Sequence, residues 1–434
     1  VHPLGSPAGA GVFVGGGWPL RPGDLMPADV SSREFSVFVN GAEQSCFVEA
    51  MPGLFPDGSV RALLVQFLYD IPNSTPISAQ VKMRTIRTTT DLSPVPMTPQ
   101  ACWSVTTGYT WGSEGRIKAK LLPRDPSYLC ETDVTFQPLI PSAQHTPQEV
   151  ARFDTFMAAR SNGLRTVTTN KDSSTVQTFR STYDSPRALL AFWQRTGNVT
   201  WYQDAMQLIY RMTEWVFPGP AYTGYNPNPN IHGESRFTQV ANADWKEEHS
   251  QRLWSYAAAW QLTGYSPFYT RVNASHMYDN RSGRSTQAGA LQLAGSAGYI
   301  DPTYGIRQNV FRVTRPVVGY AIGANRRMST PSGAGNRNMI FPTELPFIID
   351  ALATHVWNRA GDWRNGVTGI YYGNSDGTNN NAPHAEDFPT FQLSLINHFY
   401  MMYERHVKAD SRIPALIKAN VDALLLNSRA LISG

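Results

Sequence analysis

Residues 54–67, Leu-Phe-Pro-Asp-Gly-Ser-Val-Arg-Ala-Leu-Leu-Val-Gln-Phe, join a tight turn to an almost unbroken apolar run, and no other stretch constrains the fold as strongly. Asp57-Gly58 makes the turn, because glycine tolerates positive φ and an aspartate side chain bonds the backbone locally. The run from Val60 to Phe67 is short, β-branched at Val60 and Val65, and bounded by that turn. It predicts a strand buried on both faces. Turn signals recur at Arg21-Pro22-Gly23-Asp24, Asn40-Gly41, Pro72-Asn73 and Asp125-Pro126, with short runs such as Phe35–Val39 and Gln80–Ile86 between them. Residues 1–140 therefore predict an all-β unit, with a hairpin at Asn40-Gly41.

After residue 140 the periodicity changes to three- and four-residue spacing of apolar side chains. Examples are PRALLAFWQR, WYQDAMQLIYRMTEWV, EEHSQRLWSYAAAWQL, ELPFIIDALATHVW, FQLSLINHFYMMYERH and IPALIKANVDALLL. Two of these segments repeat. Ala191-Phe192-Trp193-Gln194-Arg195-Thr196-Gly197 followed by Trp201-Tyr202 echoes Ala259-Trp260-Gln261-Leu262-Thr263-Gly264 followed by Phe268-Tyr269, and Phe341-Pro342-Thr343 echoes Phe388-Pro389-Thr390. The unit is a helix, a Thr-Gly stop, a short loop and a second helix. Such hairpins build a helical bundle, an α-solenoid or an (α/α) toroid.

The glycine-rich approach from Gly11, the turn at Arg21–Asp24, the polar strand and the pattern Pro-Asp-Gly-Ser-Val-Arg-x-Leu-Leu-Val-x-Phe resemble the N-terminal β-domain of the exo-rhamnogalacturonan lyase-like and YetA-like family of carbohydrate-active proteins. The resemblance covers roughly the first seventy residues. The helix ends Arg195-Thr196-Gly197 and Leu262-Thr263-Gly264 are similar to the Thr-Gly-Asp hairpins of toroidal glycan hydrolases and lyases, with Asn198 and Tyr265 in place of the usual aspartate. The resemblance implies an α+β multidomain chain: an N-terminal all-β domain over 1–140, then a mainly helical (α/α) toroid over 141–434 that carries the cleft. It also implies a secreted, virion-exposed or cell-surface location and a polysaccharide substrate. The motif lies in the β-domain and brings no catalytic residue with it.

Composition narrows the partners. Length alone, 434 residues, suits two or three domains. Lys and Arg total 37 against 33 Asp and Glu, and the arginines are scattered, which argues against a nucleic-acid partner. Aromatic residues make up 12% and charged residues only 16%. Aromatic faces suit the C–H faces of sugar rings, although most such rings pack in cores. Cys46, Cys102 and Cys130 cannot all pair within one chain, and they lack zinc-ligand spacing. No metal or other cofactor is expected. The apolar runs are too short for a membrane span, and residues 1–30 lack signal-peptide character. The triple Gly15-Gly16-Gly17 is no dinucleotide fingerprint, since no βαβ unit follows it.

Candidate chemistry concentrates in Tyr222–His249, YTGYNPNPNIHGESRFTQVANADWKEEH. His232, Arg236, Asn242 and His249 offer a base and neutralising donors. Trp245, His249, Arg252 and Tyr256 share one helical face. Asp244 with Glu247 suits a capping box, and Tyr256 suits a core position four residues before Trp260. For β-elimination of a uronic-acid polymer, His249 or His232 is the base, Asn242 and Arg236 neutralise the enolate, and Tyr256 or Tyr225 is the acid. Trp245, Tyr225, Arg252, Glu344 and His384 are candidate substrate-binding residues. Hydrolysis would instead pair Asp244 or Glu248 with Glu344 or Glu386. A third reading is a non-catalytic surface protein for adhesion or assembly. Glu386 and Asp387 also complement the positive end of the helix after Pro389.

Overall fold

The computed structural model describes residues 1–5, 9–104, 108–113, 115–149, 152, 154–155, 159, 185–216, 253–275, 317–324, 390–418 and 420–422. The chain forms two compact units, Val1–Ala243 with Ser250–Val272 and Asp244–His249 with Asn273–Gly434. In the first unit the strands are β1 (His2–Pro3), β2 (Gly9–Pro19), β3 (Phe35–Val39), β4 (Ala42–Gln44), β5 (Cys46–Ala50), β6 (Ala62–Ile71), β7 (Ala79–Met83), β8 (Ala101–Ser104), β9 (Gly108–Trp111) and β10 (Ile117–Lys120). They make a five-stranded sheet in the order β1-β10-β2-β6-β5, a three-stranded sheet β4-β3-β7 and the hairpin β8-β9. Only β10 and β2 run parallel; the other pairs in the three sheets are antiparallel.

The expected two-faced strand is β6, which starts at Ala62 and runs on to Ile71. One face carries Leu63, Val65 and Phe67 into a core shared with Phe35, Val37 and Val39 of the smaller sheet. The alternate face, with Leu64 and Gln66, lies under other cover. Gln66 exchanges hydrogen bonds with the backbone of Val95, Nε2 donating at 2.8 Å and Oε1 accepting at 2.9 Å. Its buried amide is thereby satisfied. At the expected hairpin, Asn40 and Gly41 have φ of 51° and 81°, the left-handed pair that a two-residue loop requires. Asp125-Pro126 is a correction: it opens the short helix α1 (Pro126–Glu131) rather than a turn between strands. Asp125 caps that helix through Ser127 N–H at 2.9 Å, and proline stands at the first helical position.

Among the described residues four longer helices follow: α2 (Ser185–Thr196), α3 (Val199–Val216), α4 (Leu253–Thr263) and α5 (Ser266–Ser275), the last ending just past this unit. The repeated unit is built twice with the same stop. Gly197 and Gly264 have φ of 67° and 66°, and their N–H groups bond Trp193 O and Trp260 O at 2.7 and 2.8 Å. Thr196 and Thr263 each donate to the carbonyl four residues back, at 2.7 and 2.6 Å. Across each stop an aromatic pair closes the hairpin, Trp193 with Tyr202 at 5.1 Å and Trp260 with Tyr269 at 5.2 Å.

The toroid is overturned. Helical content among the described residues is modest, and these hairpins do not ring one another. Helix α4 instead packs on β2 and β6 of the five-stranded sheet. All of its residues but Trp260 are buried, so it has no solvent face of the kind an outer-ring helix needs. Its carbonyl end lies directly on Gly17. A Cβ at Gly17 would collide with Gln261 O, and one at Gly16 would stand 2.7 Å from Leu121 O. The fully buried Lys120 reaches across from β10 and donates through Nζ to Leu262 O. Burial pushes that amine well below the usual lysine range.

In the second unit α6 (Thr390–His406) buries Phe399, Tyr400 and Tyr403, and Asn420 Nδ2 donates to Asn397 Oδ1 at 2.8 Å. Short helical turns occur at 317–321 and 413–418. The expected helix over 344–357 and the opening Phe341-Pro342-Thr343 lie outside the described residues.

Two glycines test this account. Gly58 has φ of 86° with open space where a Cβ would go, so Gly58→Val lowers stability only through its backbone, by about 1–2 kcal/mol. Gly17→Ala meets backbone and costs about 1–3 kcal/mol of overpacking, with selective loosening of α4. Urea unfolding of both, with hydrogen exchange on α4, checks the prediction; tight protection of α4 in Gly17→Ala would count against the seating described.

Candidate functional site

The turns at Arg21–Asp24 and Asp57–Ser59 interlock. Within the second turn Asp57 Oδ1 accepts from Ser59 N at 2.9 Å and from Ser59 Oγ at 2.6 Å. The Ser59 hydroxyl in turn accepts Gly23 N–H of the first turn at 2.9 Å. Backbone bonds Leu20 N–Arg61 O and Val60 N–Leu25 O, both 2.8 Å, complete the joint. Arg61 of the motif is 1% exposed, donates through Nε to Leu54 O at 2.9 Å and lies over the Phe55 ring at 4.2 Å. It therefore braces the turn from inside.

Beside the joint, the end of β2 meets α1. The Trp18 indole N–H donates to Tyr128 OH at 3.1 Å, and Tyr128 donates to Pro19 O at 2.7 Å. The Arg21 guanidinium lies 5.5 Å from the centre of the Tyr128 ring. It bridges two carboxylates, Asp24 at 3.2 Å and Glu131 at 3.0 Å, which hold it charged. Arg21 and Glu131 are exposed. Burial pushes the Tyr128 phenol up to about 12, so it is a fixed donor rather than a proton shuttle at neutral pH. Planar cation, carboxylates and partly buried rings on one surface suit contacts to hydroxyl-rich rings. They do not supply a base.

The chemistry expected from the sequence falls elsewhere. Tyr225, His232, Arg236, Asn242, Asp244, Trp245, Glu247, Glu248, His249, Arg252, Glu344, His384, Glu386 and Asp387 lie outside the described residues. Tyr256 is placed: it is 3% exposed on α4, with its ring 6.3 Å from that of Phe268. That is the core position its spacing from Trp260 suggested. Sequence reading missed Trp18, Tyr128 and Glu131. The signal for the last two was Asp125-Pro126, an N-cap with proline at the next position, which announces a helix.

A second polar group sits where α1 leads toward α2. Asp133 and Phe136 have φ of 61° and 57°, uncommon for non-glycine residues, and both are buried. Arg187 holds this turn, donating to Thr135 O at 2.7 Å and Phe136 O at 2.8 Å while stacking 3.9 Å over Trp254. Gln194 accepts from Thr135 Oγ1 at 2.5 Å and donates to Leu129 O at 2.8 Å. These bonds rivet α1, α2 and α4 together. Among the described residues no group of His, Cys, Asp and Glu could hold a metal ion. Cys46 and Cys130 are free thiols, and burial raises both. No described helix is long and apolar enough to cross a membrane.

No protein-family model, curated protein or solved structure matches the chain.

The two placements differ in what truncation costs. Tyr256→Ala empties a core site and lowers stability by about 3–5 kcal/mol, the scale of aromatic deletions. Arg21→Ala, at an exposed ion pair, changes stability by less than about 1 kcal/mol. Thermal and urea unfolding measure both; a large loss at Arg21 would make it a structural residue and remove it from the contact surface.

Proposed function

We propose that the chain is a secreted or surface-exposed polysaccharide-degrading enzyme that acts by β-elimination on a uronic-acid glycan. The observation that carries this reading is the surface beside the interlocked turns Arg21–Asp24 and Asp57–Ser59, whose sequence resembles that of rhamnogalacturonan lyase-like proteins. That surface carries the exposed Arg21 and Glu131, with the less exposed Asp24 and the half-buried rings of Trp18 and Tyr128. In this reading that group contacts sugar, and proton transfer belongs to the segment 222–249.

Elimination requires removal of the proton α to the carboxylate, neutralisation of the enolate and protonation of the leaving oxygen. His249 or His232 serves as base, Arg236 and Asn242 as neutralising donors, and Tyr225 as acid. The burial of Tyr256 favours Tyr225 for that last part. Trp245 gives a stacking platform.

A panel of polyuronates followed by ultraviolet absorbance and product mass tests this. The expected product carries a new C=C bond at its non-reducing end, and His249→Ala lowers turnover by roughly 10²-fold or more with little change in Tm. Saturated products, with turnover abolished by Glu248→Gln or Glu344→Gln, would replace elimination with hydrolysis. Glycan retention without any product would leave an adhesion protein.

A further inference from the structure

The surface beside the interlocked turns carries more negative charge than positive. Arg21 is held on both edges of its guanidinium. Its Nε donates to Asp24 Oδ1 and Oδ2 at 3.2 Å, its Nη2 lies 3.2 Å from Asp24 Oδ1, and its Nη1 donates to Glu131 Oε2 at 3.0 Å. Two carboxylates thus stand against one cation, and the same three are the charges felt at the Tyr128 hydroxyl. Around them Arg84 donates to Asp24 O at 3.5 Å, and Asp57 Oδ2 comes within 3.8 Å of a Cβ built at Gly23. That further cation and carboxylate leave the excess unchanged. Given that this surface contacts sugar, as proposed above, we infer that it accepts an uncharged ring, a neutral sugar or an esterified uronate, and turns away a free uronate.

Glu131 is exposed and spends only Oε2 on Arg21; among the described residues its Oε1 has no partner. That oxygen accepts a proton from a sugar hydroxyl. A free carboxylate brings acceptors alone, so it gains a two-point grip on Arg21 only by displacing Asp24 or Glu131. In water, like charges about 5 Å apart weaken binding by a factor of roughly four, more so at low ionic strength. The guanidinium stands 5.5 Å over the Tyr128 ring, which leaves the half-buried Trp18, 6.3 Å from Tyr128, as the stacking ring. The polymer then presents an uncharged ring here and a uronyl ring to the segment 222–249.

Affinity electrophoresis of the full chain at neutral pH tests this, with three probes: an uncharged glycan, a methyl-esterified polyuronate and the same polyuronate de-esterified. Trp18→Leu should weaken retention by the uncharged glycan, the esterified polymer or both, which tells the two occupants apart, and leave retention by the de-esterified polymer near the wild type. Glu131→Gln should strengthen retention by the de-esterified polymer about fourfold at low salt and leave the uncharged probes unchanged. Being an exposed change, it keeps the test open where Trp18→Leu lowers Tm. Equal loss on free-acid and esterified polymers in folded Trp18→Leu, or no gain on the free acid in Glu131→Gln, overturns the charge selection while sugar contact stands. No loss on any probe in folded Trp18→Leu removes the contact surface itself, and the inference with it.

Discussion

The close approach of the α4 carbonyl end to Gly17 of β2 fixes how this helix sits on the sheet. A helix normally stands off a sheet by the length of its side chains. Here Gly17 removes that spacing, so that the last carbonyls of the helix come down onto strand backbone, while Gly16 leaves room for Lys120 and the Leu121 carbonyl. Those carbonyls need donors, as every helix C-terminus does. Lys120 supplies one for Leu262, from a strand parallel to β2. The cost is a buried amine. The return is a fixed height and direction for α4, and with it for the hairpin through Gly264, whose own Cβ position abuts Leu64 of β6.

The other face of the same sheet obeys ordinary sandwich packing. Alternate residues of β6 meet β3, and the motif turns lie at the end of β6 where strand leaves core. Their hydrogen bonds run Asp57 to Ser59 to Gly23, each donor and acceptor used once or twice. Folding alone thus accounts for Asp57, Gly58, Ser59 and Arg61. The exposed group nearby has no such account, since Arg21 and Glu131 are solvated and exposed ion pairs add little stability.

Local signals were the legible ones. Asn40-Gly41, the Asp57-Gly58 turn, the two Thr-Gly stops and their aromatic pairs follow from φ preference, capping and spacing within a few residues. The helical hairpins formed where their periodicity lies, at Ser185–Val216 and Leu253–Ser275. Their arrangement was not legible. An apolar stripe says that a helix face is buried without naming its neighbour, so a ring of helices and a helix on a sheet give the same stripe. Of the candidate site, only Tyr256 among the singled-out residues is placed, and its spacing from Trp260 had already marked it as a core position.

By itself the sequence determined the strands, turns and helix stops, because each depends on backbone preferences of adjacent residues. It also carried the chemistry of each side chain. Only the tertiary structure decided what the triple glycine is for, which strand supplies the lysine beneath α4, and that His2 stands next to that lysine. Those facts depend on residues more than a hundred positions apart in the chain meeting at one surface. No local preference encodes such a meeting. It is selected by the total burial and hydrogen-bond satisfaction of the packed unit.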